Sequence, residues 1–343
     1  MARETATSFD VARRAGVSQS AVSRVFTPGA SVSPQMRAKV MAAAAELGYR
    51  PNVLARSLTT GRSRMIGLIV AYLDNQYYPV ALEKLCHALQ ERGYHVLVFM
   101  AGQGSADVDG VLQEILDYQV DGIVMASVSL SSDLAARCAE AGVPVVLFNR
   151  TQDGDGFSTV ASDNHGGGRR LAEFLLAGGH ERIAYVAGWE GASTQRDREA
   201  GFRAGLHAAG RALFAREVGD YRFEGAQEAT RAIFGGSSRP DAVFVANDHM
   251  AIAAMDVIRF ELGLRIPADV SVVSYDDVPQ AAWKSYDLTS VRQPTNRMVA
   301  AVVAALMAHI EEGDPTPRRF SFPGTLVVRG SARLPERYVH EGL

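Results

Sequence analysis

In an open α/β sheet, ligands bind beyond the carboxyl ends of the strands, so the residues after each apolar strand-like run come first. Asp74-Asn-Gln-Tyr-Tyr78 follows the run Met65–Val70, Ser127 follows Gly122–Met125, and Asn149 and Arg150 follow Val143–Phe148. Further along come Thr194 and Arg198, then Tyr221, then Asn247-Asp248 closing the run from Val243. Asp276 lies within Ser274-Tyr-Asp-Asp277, and Gln293 within Val291-Arg-Gln-Pro294. Amides and carboxylates exchange paired hydrogen bonds with adjacent hydroxyls, and arginine offers a rigid donor fork. The set suits a polyhydroxylated ligand. Tyr77 or Tyr78 could stack on its apolar face, or pack in the core. Arg198 and Asp276 could hold the ligand, or pair to close the cleft. Arg150, a second arginine, would suit a carboxylate or phosphate; it could also face solvent or pair with Asp153.

Catalytic patterns are missing. The eight histidines are scattered, and no nucleophile elbow or phosphate-binding Walker loop occurs. Gly166-Gly-Gly168 lacks the spacing of a dinucleotide loop and reads as close packing at a helix start. No metal site, cofactor or enzymatic activity is expected.

The elements that position these residues alternate between strands and helices. Helical periodicity covers Val80–Arg92, Val111–Tyr118, Leu134–Ala141, Gly167–Leu176, Arg198–Ala209, Ala226–Phe234 and Met250–Leu262. Strand-like runs include His95–Met100, Arg182–Ala187, Ala242–Ala246 and Val270–Tyr275. Repeated βα units predict doubly wound parallel sheets.

The first fifty residues differ. Val11, Ala12 and Ala15 fall at helical spacing, Gly16 suits the left-handed turn after a helix, and Ser18 suits the cap of the next. Val22, Val25 and Phe26 form the buried stripe of that second helix, while Gln19, Ser20, Ala21 and Arg24 are expected to point outward. Ser33-Pro34 opens a third helix, Gly48 closes it, and Val40, Ala43, Ala44 and Leu47 give its apolar face. Two short helices around a tight turn, with polar residues starting the second, form a major-groove reader.

Charge supports the division. Residues 1–64 hold ten Lys/Arg and three acids, a balance of +7, in a chain whose net charge is −3; the remainder carries −10. A basic head on an acidic body fits phosphate contact at one end. With 343 residues, 47% hydrophobic and 21% charged, the composition is that of a soluble protein of two or three domains. No apolar stretch is long enough to span a membrane, and no signal-peptide pattern opens the chain, so a cytoplasmic location is expected. Cys86 and Cys138 are expected to be free thiols.

The run Asp10-Val-Ala-Arg-Arg-Ala-Gly-Val-Ser…Ala21-Val-Ser-Arg-Val25, then Val32-Ser-Pro…Arg37, then Leu47-Gly-Tyr-Arg-Pro-Asn52…Ala55-Arg-Ser-Leu58 resembles the LacI/GalR family of bacterial transcription regulators. The likeness spans nearly the whole chain. Two departures stand out, Phe26-Thr-Pro-Gly-Ala30 in the loop after the second helix and Gln76 where relatives often have proline. The resemblance implies an all-α helix-turn-helix domain at 1–50, a hinge helix or linker at 51–63, and an α/β type I periplasmic-binding-protein-like domain at 64–343. That domain would hold two doubly wound lobes, about 64–162 with 290–322, and about 163–289 with 323–335. Crossovers are expected near Ala161–Asn164, Leu288–Arg292 and Phe320–Pro323.

The resemblance places Arg198, Asn247, Asp276 and Gln293 in an effector cleft, with Tyr221 where relatives carry a stacking aromatic. On DNA, Gln19, Ser20 and Arg24 would read base edges, and Ala21 and Ser23 would meet a methyl group or phosphate. Arg13, Arg37 and Arg56 would hold phosphates. Asn52 and Ala55 would lie in the hinge, with Leu58 a minor-groove wedge or else packed on the body. The expected function is ligand-controlled transcription, chiefly repression of carbohydrate or sugar-acid genes by a homodimer on a palindromic operator. The competing readings are a solute-binding sensor or transport protein, a sugar-modifying enzyme using Asp276-Asp277, and an architectural DNA binder. The end at Leu343, without a leucine heptad, gives no expectation of a tetramerising helix.

Overall fold

The computed structural model describes residues 6–27, 30–50, 62–102, 105–128, 137–138, 140–152 and 156–336. It divides into two units, Met1–Ser63 and Arg64–Leu343.

In the first unit, helices α1 (Ser8–Ala15), α2 (Gln19–Val25) and α3 (Pro34–Leu47) enclose a small core of Val11, Ala12, Val22, Val25, Val40, Ala43 and Ala44. Every helix start is capped. Thr7 and Asp10 form a reciprocal capping box, Ser18 accepts from the Ala21 amide, and Ser33 accepts from the Met36 amide. Gly16, at φ 67°, takes the left-handed turn that separates α1 from α2. Two sequence expectations change. Ala21 is buried rather than outward, since it lies on the inner side of α2. Leu47 is 36% exposed and is not part of the core that Val40, Ala43 and Ala44 join.

The second unit contains two six-stranded sheets. In chain order the first holds β1 (Met65–Val70), β2 (His95–Met100), β3 (Gly122–Ala126), β4 (Val145–Phe148) and β5 (Ser158–Ser162). The second holds β6 (Ile183–Ala187), β7 (Ala215–Val218), β8 (Ala242–Val245), β9 (Ser271–Asp276) and β10 (Thr289–Arg292). Two late strands cross over: β11 (Arg319–Phe322) adds to the first sheet beside β5, and β12 (Thr325–Val327) adds to the second beside β10. The orders are β11-β5-β4-β3-β1-β2 and β12-β10-β9-β8-β6-β7, parallel except for β12. Strands such as β3, β4 and β6 are buried along their whole length, as strands covered on both faces must be.

Helices α4 (Tyr77–Glu91) and α5 (Ser105–Asp117) connect strands of the first sheet. Helices α6 (Asn164–Ala177), α7 (Ser193–Ala208), α8 (Phe223–Phe234) and α9 (Asp248–Asp256) serve the second. The 18-residue α10 (Thr295–Glu312) returns to the first lobe, where Met298, Val302 and Leu306 join the core of Leu68, Val124 and Val146.

The chain therefore crosses between lobes at 163, 293–294 and 323–324. Residues 290–292, expected in the first lobe, pair with β9 and so belong to the second. The expected helix at Leu134–Ala141 falls mainly outside the described residues. Gly166, Gly167 and Gly168 provide close approach: a Cβ there would lie 2.2 Å from the Asp163 carboxylate, 2.4 Å from the Tyr275 ring and 2.1 Å from the Arg198 carbonyl oxygen.

Candidate functional sites: an interlobe cleft and a helix-turn-helix face

Strand ends deliver the cleft residues, and the backbone bends hard to do it. Ser127, Asn149, Tyr221 and Asp276 all have positive φ, at 65°, 57°, 59° and 117°. Side chains other than glycine rarely hold such angles, and clusters of them mark sites where geometry outranks local stability. Helix α7 begins at Ser193, five residues before the periodicity suggests. Thr194 and Arg198 thereby sit four apart on one helix face.

Arg198 is the anchor. It is 2% exposed, and all three guanidinium nitrogens donate: Nε to Asn164 Oδ1 at 2.8 Å, Nη1 to the Ala246 carbonyl at 2.7 Å, and Nη2 to Asp276 Oδ1 at 3.2 Å. Its Cζ lies 3.8 Å from the Tyr275 ring centroid. Burial opposes its charge, yet Asp276 and the surrounding tyrosines hold it ionised beyond its usual range. Burial pushes the Asp276 carboxyl up, against the pull of Arg198, Gln293 and Asn75. Gln293 Nε2 donates to Asp276 Oδ1 at 2.7 Å. Behind them Asp248 is fully buried, and burial together with the nearby Asp276 charge raises its carboxyl to about 7. It accepts from Ser290 Oγ and the Val278 amide.

Tyr72, Asn75, Tyr78, Asn149, Thr194, Arg198, Tyr221, Asn247 and Asp276 surround a cavity of about 10 Å³ between the lobes. That holds about one water molecule, so a sugar-sized ligand requires the lobes to separate. Thr194 Oγ1 and the Tyr221 hydroxyl share a hydrogen bond of 3.2 Å, and Asn149 Nδ2 donates weakly to the Tyr78 hydroxyl at 3.5 Å. Asn247 Oδ1 caps α9 by accepting from the Met250 amide, which leaves its NH2 for a ligand. Across the cleft, His249 of the second lobe faces Asp74 of the first at 3.7 Å. A larger hollow of about 500 Å³ lies behind Gln293, lined by Tyr77, Lys84, Arg292, Arg297 and Arg329 among others.

Seven of the eleven sequence-derived effector residues therefore wall the small cavity. Of the rest, Gln293 bonds to Asp276, and Ser127 and Arg150 adjoin Tyr72. Tyr77 is core: its ring stacks on Phe148 and its hydroxyl meets Met298. Tyr72, Asn75, Asn164 and Trp189 were missed. Tyr72 and Asn75 lie in the segment after β1, where position alone could have flagged them. Asn164 opens a helix, and Trp189 occupies a loop whose reach no periodicity reveals. Asp276 and Asp277 make no acid/base couple: Asp277 pairs with Arg292 at 2.5 Å and Arg329 at 2.6 Å.

On the helix-turn-helix unit, Gln19, Ser20, Ser23 and Arg24 are exposed along α2, and Arg13 is exposed on α1. Gln19 Nε2 donates to Ser8 Oγ at 2.9 Å, which ties its side chain toward α1. Arg37 Nη1 caps α2 through the Val25 carbonyl at 3.2 Å. The exposed row on α2, without a charged acid among Gln19, Ser20, Ser23 and Arg24, can donate to base edges and phosphates. Asn52, Ala55, Arg56 and Leu58 lie outside the described residues. Among those described, no helix is long and apolar enough to cross a membrane.

Residues 9–52 match the bacterial regulatory proteins of the lacI family, and residues 172–332 match a periplasmic binding protein-like domain. The ribose operon repressor of Escherichia coli (strain K12) is 32% identical over 95% of this chain and 100% of its own length. The structure of the transcriptional regulator CelR–cellobiose complex is similar, with a TM-score of 0.73 at 32% identity, covering 95% of this chain and 100% of that one. The Lac repressor dimer bound to operator and the anti-inducer ONPF gives a TM-score of 0.86 at 30% identity, covering 96% and 99%. A helix-turn-helix head followed by a two-lobed, periplasmic-binding-protein-like body defines a ligand-responsive DNA-binding transcription regulator. The chain belongs to the LacI family of bacterial regulatory proteins.

Proposed function

We propose that this protein represses carbohydrate-utilisation genes as a homodimer on a palindromic operator, and that a carbohydrate held between its two lobes sets operator affinity. The observation that carries the effector reading is the polar inner surface of the cleft, where Asp276, Asn149, Asn247 and Gln293 from different strand ends converge with Arg198 from α7. Such a surface is costly to bury unless a polyhydroxylated partner completes its hydrogen bonds. Relatives carry the names ribose operon repressor and CelR, the latter in complex with cellobiose.

The mechanism rests on differential affinity. A ligand that prefers one lobe spacing shifts the balance between spacings, typically with a coupling of about 1–3 kcal/mol. Residues 51–63 would transmit that change to the DNA-binding unit. Gln19, Ser20 and Arg24 would read the major groove, with Ser23, Arg13, Arg37 and Arg56 on phosphates. Asn52, Ala55 and Leu58 would act at the operator centre. A solute-binding role would leave the capped, basic three-helix unit without a purpose.

The test is binding of the purified protein to a genomic fragment library with and without a carbohydrate panel. A palindromic site whose occupancy one carbohydrate changes supports the reading. Tight carbohydrate binding with no preferred DNA site would overturn it.

A further inference from the structure

The two arginines of the cleft are not equivalent. Every guanidinium nitrogen of Arg198 has a protein acceptor, and Asp276 balances its charge. Arg150 is buried almost as deeply, at 3% exposed, and has neither among the described residues; Asp153, the partner its sequence neighbourhood offers, lies outside them. Its Nη2 makes two long contacts of 3.4 Å, to the Ser127 carbonyl and hydroxyl. Its Nε and Nη1 have no hydrogen-bond partner among the described residues, and no described carboxylate pairs with it. Its Cζ sits 5.6 Å from the ring centroid of Trp189, which comes from the opposite lobe.

A buried cation with unfilled donors is expensive unless something supplies acceptors and a counter-charge. On its neighbour Asn149, and on Gln293 beside Asp276, the shortage is reversed. Asn149 Oδ1 and Gln293 Oε1 are buried acceptors with no donor among the described residues. The cleft thus offers surplus donors on a positive group and surplus acceptors on neutral amides. A ligand complementary to both carries an oxyanion and several hydroxyls.

We propose that the effector is an anionic carbohydrate, a sugar acid or sugar phosphate, whose oxyanion docks on Arg150 while its hydroxyls serve Asn149 and Gln293. This rests on the effector reading of the cleft given above. The anion lies where Arg150 of the first lobe meets Trp189 of the second, so its charge acts on the contact that joins the lobes. Arg150 is then the residue that selects acids over their neutral parents.

The experiment uses the full chain and matched sets: D-glucose, D-glucuronate and D-glucose 6-phosphate; D-ribose, D-ribonate and D-ribose 5-phosphate; cellobiose and cellobionate. Affinity is measured by titration calorimetry for the natural protein, Arg150→Gln and Arg150→Lys, each shown to be folded by a cooperative thermal transition. At least one anion is expected to bind about ten- to a hundred-fold tighter than its neutral parent, as charged hydrogen bonds imply. That preference should vanish in Arg150→Gln and partly return in Arg150→Lys, which restores charge without the fork. Whether the carboxylate or the phosphate wins identifies the source of the anion. Equal binding of the neutral parent, or a preference that survives Arg150→Gln, overturns this inference and leaves the carbohydrate cleft standing. A panel that binds nothing overturns both.

Discussion

Arg198 and Asp276 pair at 3.2 Å within a single lobe, the arginine from α7 and the aspartate from the end of β9. The pair therefore does not clamp the cleft shut. It presents one charged, hydrogen-bonded platform on the second lobe, which Gln293 and Asn75 reach from the crossover and from the first lobe. The contacts that do span the lobes are others, Asn75 to Asp276 and His249 to Asp74.

Arg198→Ala should lose effector affinity and stability together. Removing the guanidinium leaves the Asp276 carboxyl buried without its counter-charge, a change that typically costs about 3–5 kcal/mol. Chemical denaturation gives the stability loss and calorimetry the affinity. A variant as stable as the natural protein would show that Asp276 is satisfied by Gln293 and Asn75 alone.

On DNA, Arg24 and Arg13 should separate by salt and sequence. Arg24→Ala should cost about 1–3 kcal/mol at the operator and little on random DNA, as loss of a base contact does. Arg13→Ala should weaken both alike and lower the salt slope by about one. Anisotropy titrations across a salt series distinguish them. Equal weakening on both DNAs by Arg24→Ala would assign that residue to the backbone.

Much of this geometry was legible because it is local. Caps at Ser18 and Ser33, the glycine turn at Gly16 and the fully apolar runs of β1, β3 and β4 each announce themselves within a few residues. What escaped depends on distant partners. β5 reads Ser158-Thr-Val-Ala-Ser162, too polar for a buried strand until β4 and β11 flank it. The apolar surface of α10 goes nearly all round, so its periodicity blurs, and its place is set by a return to the first lobe. Tyr77 and Tyr78 are adjacent on α4 and looked interchangeable. Helical geometry turns one to the core and the other to the cleft, and only packing decides which. Arg150 followed from position, but that no carboxylate among the described residues pairs with it needed three dimensions.

Asp248 gives a pH signature. Its folded-state carboxyl titrates at about 7, against an ordinary value of 3.8, because burial penalises the charged form. The folded state therefore binds more protons than the unfolded chain between those values. This contribution to stability is complete below about 4 and is lost as pH rises through about 7. Asp248→Asn mimics the protonated form and should remove that slope. Thermal unfolding of both proteins between pH 5 and 8 checks it; parallel curves would show that Ser290 and the Val278 amide keep Asp248 ionised throughout.

The crossing of α6 and α7 sets the position of Arg198, and it tolerates no side chain. A Cβ on Gly201 would lie 1.9 Å from the His165 carbonyl oxygen, and one on Gly168 would lie 2.1 Å from the Arg198 carbonyl oxygen. Both obstacles are backbone and cannot rotate away. Gly201→Ala should therefore force the helices apart, with a cost at the upper end of the about 1–3 kcal/mol typical of overpacking. Because Arg198 sits three residues before Gly201, its guanidinium would move off Asn164 and Asp276, and effector affinity should fall with stability. Gly210→Ala, whose added methyl meets nothing within 4 Å, carries only the strain of its positive φ and should leave effector affinity intact. Calorimetry on the two variants compares them. Equal losses would mean that the helix crossing does not position Arg198.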